Sequence, residues 1–348
     1  MTKNSLSINY YGYFTPFGGY GIANMNWVKH LRRLGVQVFP HGKFMPVVGT
    51  PEYEVLNEEE KEIAAIPFEK QRIGVIETTP FDFNLIDNEV KVANTMAEND
   101  TIGKPWVNAS NRMDYVLVPN KFQETVFKES GVESPVFVIP HGTETEKFPY
   151  FERPKREIFT FGIVGWLNDR KGVFDVIRAF ASEFDNNEPV RLILKTSNPS
   201  FGYYSNFNDP RITTINKLTS PEELNLLYQS LDCFVFPSKA EGIGQPPREA
   251  MATGLPVILT KWSGLSEISL KSISYPIEPI AFTERKEWEE QPGNWAEIDI
   301  AELMYWMRYV YEHQSKAKLK GKKAAEFIRK NYSWEAAAKA MKCFLETL

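Results

Sequence analysis

The sequence predicts two α/β domains, each built on a mostly parallel β-sheet covered by helices. The chain has 348 residues, and because one domain usually takes about 100–200 residues, two domains are expected. Short apolar runs alternate with helical patterns along the chain, which is typical of parallel sheets with helical crossovers. A charged segment at residues 150–157, with Pro149 and Pro154, is typical of a connection between domains.

The first half opens as a strand, a turn, a helix and a strand. A strand is predicted at residues 5–13, a Gly-rich turn at 17–21, a helix at 22–34 and, after Gly35, a strand at 36–39. Further strands are predicted at 72–76, 115–119 and 136–140, with a helix at 121–130 that ends at Gly131. These elements make residues 1–150 one α/β domain.

The second half repeats this organisation. Strands are predicted at 159–164, 190–195, 212–215, 233–237 and 256–259, and helices at 172–184, 221–230 and 246–253. The tail after Glu297 reads as three helices, the last at 334–347 after a capping Ser333. Residues 151–333 are therefore expected to form the second domain.

Composition excludes several classes of protein. Lys and Arg number 40 against 45 Asp and Glu, a net charge of −5, so the basic surplus of a dedicated nucleic-acid-binding protein is missing. The two cysteines are too few for a disulfide framework, and no apolar run approaches the roughly 20 residues of a membrane span. We therefore expect a cytoplasmic protein without an integral membrane segment.

The densest chemical signal is the segment at residues 236–258. It reads as a strand, a Gly-bearing loop, a helix opened by proline, a Gly stop and a further strand. The helix N-terminus in such a unit presents N–H groups to an anion, and a diphosphate would suit it. Glu241 in the loop and Glu249 in the first helical turn could accept hydrogen bonds from sugar hydroxyls. Alternatively, Glu249 only complements the helix dipole and Glu241 is a surface residue.

This segment resembles the Glu-x7-Glu motif of the retaining GT-B glycosyltransferases usually called GT4, or glycosyl transferases group 1. Four further segments are similar to that family in the same order, at residues 17–21, 113–120, 138–142 and 161–172, and a small-residue turn at 263–268 follows the motif. The resemblance implies the GT-B fold, in which two Rossmann-like domains face each other across a cleft. It also implies an acceptor-side first domain, a nucleotide-sugar donor domain at 151–333, and a C-terminal helix, residues 334–348, that packs back on the first domain.

The resemblance also implies roles for individual residues. Glu241 would contact the hydroxyls of the donor sugar, Glu249 would hold the ribose, and Arg170 and Lys171 would offset charge on the departing diphosphate. The loop residues Gly242, Ile243 and Gly244 would line the donor site, and Gly19 and Gly21 would bring backbone N–H groups to the diphosphate. Two departures from the family stand out: Trp166 occupies the position of a common arginine, and His141 that of a common asparagine.

The function implied is transfer of a sugar from a nucleotide diphosphate sugar, UDP- or GDP-linked, to an acceptor hydroxyl with retention of anomeric configuration. The acceptor could be a glycan, a lipid-linked sugar, a metabolite, a protein side chain or a modified base, although the net charge does not favour nucleic acid. Glu98 is a candidate on the acceptor side. Two alternatives remain open: a GT-B sugar-nucleotide epimerase and a non-catalytic nucleotide-sugar binding protein.

No cofactor or metal is expected. The four histidines lack the spacing of metal ligands, and no Asp-x-Asp stands at a strand end to hold a metal-bridged diphosphate. Esterase, thiol protease and NTPase motifs do not occur either. The enzyme implied by the resemblance is therefore a hexosyltransferase that relies on its own cations and N–H groups.

Overall fold

The computed structural model describes residues 6–15, 18–43, 45–204, 209–285 and 292–348. The chain forms two compact units. The first contains the described residues of Met1–Gly142, Glu287–Pro292 and Tyr332–Leu348, and the second contains those of Thr143–Lys286 and Gly293–Asn331.

The first unit is built on a six-stranded parallel sheet with the order β2-β1-β3-β4-β5-β6. Its strands are β1 (Ser7–Tyr13), β2 (Gln37–Lys43), β3 (Ile73–Glu77), β4 (Val90–Asn94), β5 (Tyr115–Val118) and β6 (Val136–Val138). Its helices are α1 (Gly19–Arg33), α2 (Pro51–Glu54), α3 (Glu58–Ala64), α4 (Lys104–Ser110), α5 (Lys121–Glu129) and, from the C-terminus, α11 (Trp334–Leu345). The chain leaves β1 for β2 on one side and returns to β3 on the other, which creates a topological switch point between β1 and β3.

Alternation along the strands divides the core of the first unit between the two faces of its sheet. Tyr10 points into one apolar cluster and Tyr11, the next residue, into the other. The cluster around Tyr10 includes Trp27 of α1 and Trp334 of α11, whose rings lie 5.1 Å apart edge to face. The prediction that the C-terminal helix packs on the first domain is therefore confirmed.

The second unit is built on another six-stranded parallel sheet, with the order β12-β11-β10-β7-β8-β9. Its strands are β7 (Phe159–Val164), β8 (Val190–Thr196), β9 (Ile212–Asn216), β10 (Cys233–Phe236), β11 (Val257–Thr260) and β12 (Tyr275–Ile277). Its helices are α6 (Val173–Glu183), α7 (Pro221–Ser230), α8 (Gln245–Ala252), α9 (Ile300–Glu312) and α10 (Gln314–Asn331). Every residue of β7, β10 and β11 is buried, and the switch point lies between β7 and β10.

A two-stranded antiparallel hairpin of β13 (Pro279–Arg285) and β14 (Gly293–Ile298) completes the second unit. The sequence did not predict it, because β13 is exposed along most of its length and lacks the apolar alternation that marks a half-buried strand.

The predicted α/β class and two Rossmann-like domains are confirmed. No helix of the described ranges is long and apolar enough to cross a membrane.

The segment at residues 150–157, which was predicted to connect the domains, packs on the second unit. The second unit begins at Thr143, before the predicted start at residue 151. Arg153 is buried, and its guanidinium donates hydrogen bonds to the carbonyl oxygens of Tyr228, Leu231 and Thr253. A charged, proline-containing segment resembles a linker in sequence, but here its arginine satisfies carbonyl groups at the ends of α7 and α8.

Candidate active site

Two loops meet at the carboxyl edge of the second sheet, at its switch point. One follows β7 and contains the short 3₁₀ turn Asp169–Lys171; the other runs from β10 to α8. Their backbones touch: the N–H of Lys239 donates to the carbonyl oxygen of Arg170 at 2.7 Å, and the hydroxyl oxygen of Ser238 lies 3.1 Å from the same carbonyl oxygen. Gly172, at φ 69°, permits this approach, because a Cβ there would lie 2.3 Å from a carbonyl oxygen in the second loop.

Glu241 lies at the centre of this contact and is only 4% exposed. One of its oxygens, Oε1, lies 2.5 Å from Nζ of Lys171, 2.6 Å from the hydroxyl of Ser238 and 3.5 Å from Nη1 of Arg170. Among the described residues, no side chain donates to the other oxygen, Oε2. The carboxylate therefore anchors two cations through one oxygen.

Charge compensation keeps Glu241 ionised. Burial by itself raises the pKa of this carboxyl, but Lys171 and Arg170 outweigh that effect and hold the pKa below its usual value. The backbone N–H of Glu241 donates to the hydroxyl of Ser263 at 2.8 Å. Ser263 has a positive φ of 51°, which is a strained conformation for a residue other than glycine.

Glu249 lies one residue further into α8 than the sequence predicted. The helix begins at Gln245, so Glu249 opens its second turn and is not in the first. The buried hydroxyl of Tyr228 donates to Oε2 of Glu249 at 2.9 Å. Burial raises the pKa of Glu249 to about 7, with the charge of Glu144 adding to the rise and Lys147 and the Tyr228 hydrogen bond opposing it.

The start of α8 offers fewer N–H donors than expected. Pro246 and Pro247 occupy its second and third positions and carry no N–H, so backbone donors at this end come from the loop Gly242–Gln245. Gly244 has φ 74°, and a Cβ on it would lie 2.3 Å from Leu265. The glycines of this loop therefore allow close packing of the backbone, and an anion bound here would depend more on the cations than the sequence suggested.

Arg170 and Trp166 differ in what they offer an anion. Arg170 Nη1 donates to the carbonyl oxygen of Ala240 at 2.6 Å, which fixes the guanidinium beside Glu241. Trp166 has 54% of its surface exposed and supplies no charge at the position where the similar family has an arginine. Arg170 and Lys171 are thus the cations that the structure brings together with Glu241.

The first unit contains the remaining predicted residues. Gly19 and Gly21 belong to the first turn of α1 and not to a loop before it; Phe17, part of the same motif, lies outside the described residues. A Cβ on Gly21 would lie 1.9 Å from the carbonyl oxygen of Thr15. Only glycine therefore lets the strand end and the helix approach so closely.

A buried carboxylate at the switch point of the first sheet was not singled out as a site residue. Glu77 is fully buried, and its Oε2 accepts from the hydroxyl of Tyr10 at 2.6 Å and the amide of Asn94 at 3.0 Å. Its Oε1 lies 3.3 Å from Nε2 of His141.

Glu98, the acceptor-side candidate, is half-buried. In the described part of the chain, no three Asp, Glu, His or Cys side chains could hold a metal ion together.

Residues 158–279 match the family model described as glycosyl transferases group 1. A D-inositol 3-phosphate glycosyltransferase of Corynebacterium urealyticum is 28% identical over 175 residues, which are 43% of this chain and 41% of the relative. The chain covers less than half the length of the curated relatives that it matches first. The similarity to the glycosyl transferases group 1 family therefore lies within the second unit.

Solved structures show the same fold over nearly the whole chain. A sucrose-phosphate synthase from Thermosynechococcus elongatus is similar with a TM-score of 0.73 and 17% identity, over 98% of each chain. Anabaena HepE, in complex with UDP and glucose, is similar with a TM-score of 0.63 and 15% identity, over 99% of this chain and 100% of that one. The fold is GT-B, as the sequence resemblance implied.

Proposed function

We propose that this protein is a retaining glycosyltransferase that moves a sugar from a nucleotide diphosphate sugar to an acceptor hydroxyl. The observation that carries the proposal is the buried cluster of Lys171, Arg170 and Glu241 at the switch point of the second sheet. The group 1 family match over the same segment supports it. A transferase is favoured over an epimerase, because that family and the relatives it matches are glycosyltransferases.

The cluster suits a diphosphate. Lys171 and Arg170 place two cations beside one carboxylate in a largely buried loop junction, where electrostatic attraction is stronger than in water. Negative charge grows on the leaving diphosphate as the glycosidic bond breaks, so fixed cations at this place lower the barrier of the chemical step. Lys171 and Arg170 are the residues we propose for this role.

The two glutamates suit the remaining parts of the donor. Oε2 of Glu241 can accept a hydrogen bond from a hydroxyl of the sugar, and Glu249, one turn into α8, can accept one from the ribose. The loop Gly242–Gly244 would line the space between them. In this proposal the second unit is the donor domain, the first unit provides the acceptor side with Glu98 as a candidate, and the roles of Gly19 and Gly21 stay predictions.

Retention and metal independence follow from the same proposal. Retention is proposed because the Glu-x7-Glu segment resembles that of retaining enzymes. The protein's part is then to position the donor and the incoming hydroxyl on one face of the sugar and to stabilise the leaving group. Because Lys171 and Arg170 already provide positive charge for the diphosphate, we expect no divalent metal to be needed.

The donor nucleotide is proposed to be UDP or GDP, and UDP is the first to test because the structurally similar HepE is in complex with UDP and glucose. The experiment is to incubate the protein with UDP- and GDP-hexoses and an acceptor panel, and to analyse products by mass spectrometry and proton NMR. A glycosylated acceptor with the donor's anomeric configuration supports the proposal. An epimerised donor without transfer, or no turnover with any donor, would overturn it.

A further inference from the structure

We propose that Lys239 and the β13–β14 hairpin are positioning elements for the diphosphate site, holding the Asp169–Lys171 turn in place through Asp169. This inference rests on the proposed function and names residues that the sequence did not select. In this proposal Lys239 does not contact the ligand and takes no part in the chemical step. Its role is to fix the backbone that carries Arg170 and Lys171.

Lys239 joins three elements through one buried ammonium group. It is 8% exposed, and its Nζ lies 3.2 Å from Asp169, 3.6 Å from Glu297 and 4.0 Å from Asp175. Asp169 belongs to the 3₁₀ turn, Asp175 to α6 and Glu297 to β14. A buried lysine is costly unless carboxylates compensate it, so these three acids and the lysine constrain one another.

The hairpin holds the same turn through a second cation. Arg285, the last residue of β13, has Nη2 3.5 Å from Oδ2 of Asp169, while Lys239 takes Oδ1. The guanidinium of Arg285 stacks on the ring of Trp295 in β14 at 4.5 Å, which limits its freedom. Asp169 is thus held on both carboxylate oxygens, directly before the two residues proposed to bind phosphate.

The hairpin is in turn fixed to the loop that carries Glu241. The N–H of Ala296 donates to the carbonyl oxygen of Lys239 at 2.9 Å, and Phe282 lies 4.4 Å from Trp262, ring centre to ring centre. These contacts connect the hairpin, the loop and the turn to one another. If Asp169 lost its ion pairs, Arg170 and Lys171 would therefore be displaced. Displacements of about 1 Å are enough to reduce catalysis strongly.

The test compares Lys239→Met and Arg285→Met with wild type and with Lys217→Met, which removes an exposed ion pair to Glu223 in the same unit. Affinities for UDP, GDP, uridine and guanosine are measured by calorimetry, and kcat and KM once the donor is known. Arg285 is partly exposed, so its variant is the one to use if Lys239→Met does not fold.

We expect both variants to bind the nucleoside diphosphate about five- to ten-fold more weakly, to bind the nucleoside unchanged, and to lose more in kcat than in KM. The double variant should lose less than the product of the single losses, because both cations hold Asp169. Lys239→Arg should restore most of the affinity, and Lys217→Met should match wild type.

Three results would overturn the inference. If folded Lys239→Met and Arg285→Met bind the diphosphate like wild type, the hairpin has no positioning role, whereas the proposed function stands. If nucleoside and diphosphate affinities fall equally, the effect is general loss of structure and not phosphate positioning. If wild type binds neither UDP nor GDP, the proposed function fails and the inference fails with it.

Discussion

Nζ of Lys171 lies 2.5 Å from Oε1 of Glu241, and both side chains are buried where two loops meet at the carboxyl edge of the second sheet. The contact links a residue after β7 to a residue after β10, so it forms only when the parallel sheet does. Arg170 adds a second cation beside the pair, with its Nη1 3.5 Å from the same carboxylate oxygen. A diphosphate is the ligand that we propose for these two cations at the carboxyl edge of the sheet.

Replacing Lys171 with alanine should reduce turnover more than replacing Glu249 does. Lys171 is proposed to meet charge that develops on the leaving diphosphate, and loss of one such partner typically lowers kcat by about 10²-fold. The measurement is kcat for both variants with the natural donor. Undiminished kcat in Lys171→Ala would move the phosphate site elsewhere.

The same substitution should also destabilise the fold. Glu241 would keep a buried negative charge with one of its cations removed, which typically costs about 3–5 kcal/mol. Urea unfolding of Lys171→Ala, beside the exposed control Lys217→Ala, measures this directly. A cost equal to that of the control would mean that the pair contributes nothing to stability. The double variant Lys171→Met with Glu241→Gln should recover part of the loss.

Glu249→Ala should weaken binding of the free nucleoside diphosphate by about 1–3 kcal/mol, the range for a lost hydrogen bond to a charged or partly charged group. The proposed partner is a hydroxyl of the ribose, which the corresponding 2′,3′-dideoxy nucleotide lacks. Wild type and Glu249→Ala should therefore bind the dideoxy nucleotide with similar affinity. Calorimetry with both ligands checks this. Full affinity of a folded Glu249→Ala for the normal nucleotide would exclude the ribose role.

Glu249 should also make stability depend on pH. Its pKa is about 7 in the folded protein, raised by burial, against an ordinary value of 4.5. Between pH 4.5 and 7, Glu249 is protonated in the folded state and ionised in the unfolded state. Its contribution to the free energy of unfolding is therefore fully present below pH 4.5 and is lost as the pH rises to 7. The loss is on the order of 2 kcal/mol, less than a full shift of this size would give, because Glu249 is partly exposed. Glu249→Gln should flatten this part of the curve of unfolding free energy against pH, and an unchanged slope would contradict the prediction.

Glu77 should be important for the first unit and not for nucleotide binding. Glu77→Ala leaves the hydroxyl of Tyr10 and the amide of Asn94 without their acceptor in a buried site, which costs about 3 kcal/mol. Glu77→Gln keeps an acceptor oxygen and should cost less. Urea unfolding gives the stabilities, and UDP or GDP affinity should match wild type in any folded variant; a tenfold loss of affinity would assign Glu77 a part in the donor site.

The fold and the donor motif could be predicted because both depend on local pattern. Alternating strands and helices indicate a parallel sheet, and the Glu-x7-Glu spacing selects Glu241 and Glu249 without knowledge of their neighbours. The contact from Tyr228 to Glu249 could not be predicted, because it arises from the packing of α7 against α8. Lys239 could not be selected from the sequence either, because its three carboxylate partners lie on elements that are distant from it in sequence.

Removal of divalent metals should leave activity unchanged. Lys171 and Arg170 are fixed positive partners for the diphosphate oxygens, and a metal ion would compete with them for the same atoms. Initial rates with excess EDTA should equal those with added magnesium or manganese. Loss of nearly all activity in EDTA, restored by metal, would show that the two cations are not sufficient.

The most direct test of the central claim is calorimetric binding of UDP and GDP to wild type, Lys171→Met and the exposed control Lys217→Met. Binding of a nucleoside diphosphate by wild type and by Lys217→Met, with at least tenfold weaker binding by Lys171→Met and equal binding of the nucleoside by all three, is the predicted result. Equal affinity of wild type and folded Lys171→Met for the diphosphate, or binding of neither nucleotide by wild type, would contradict the account.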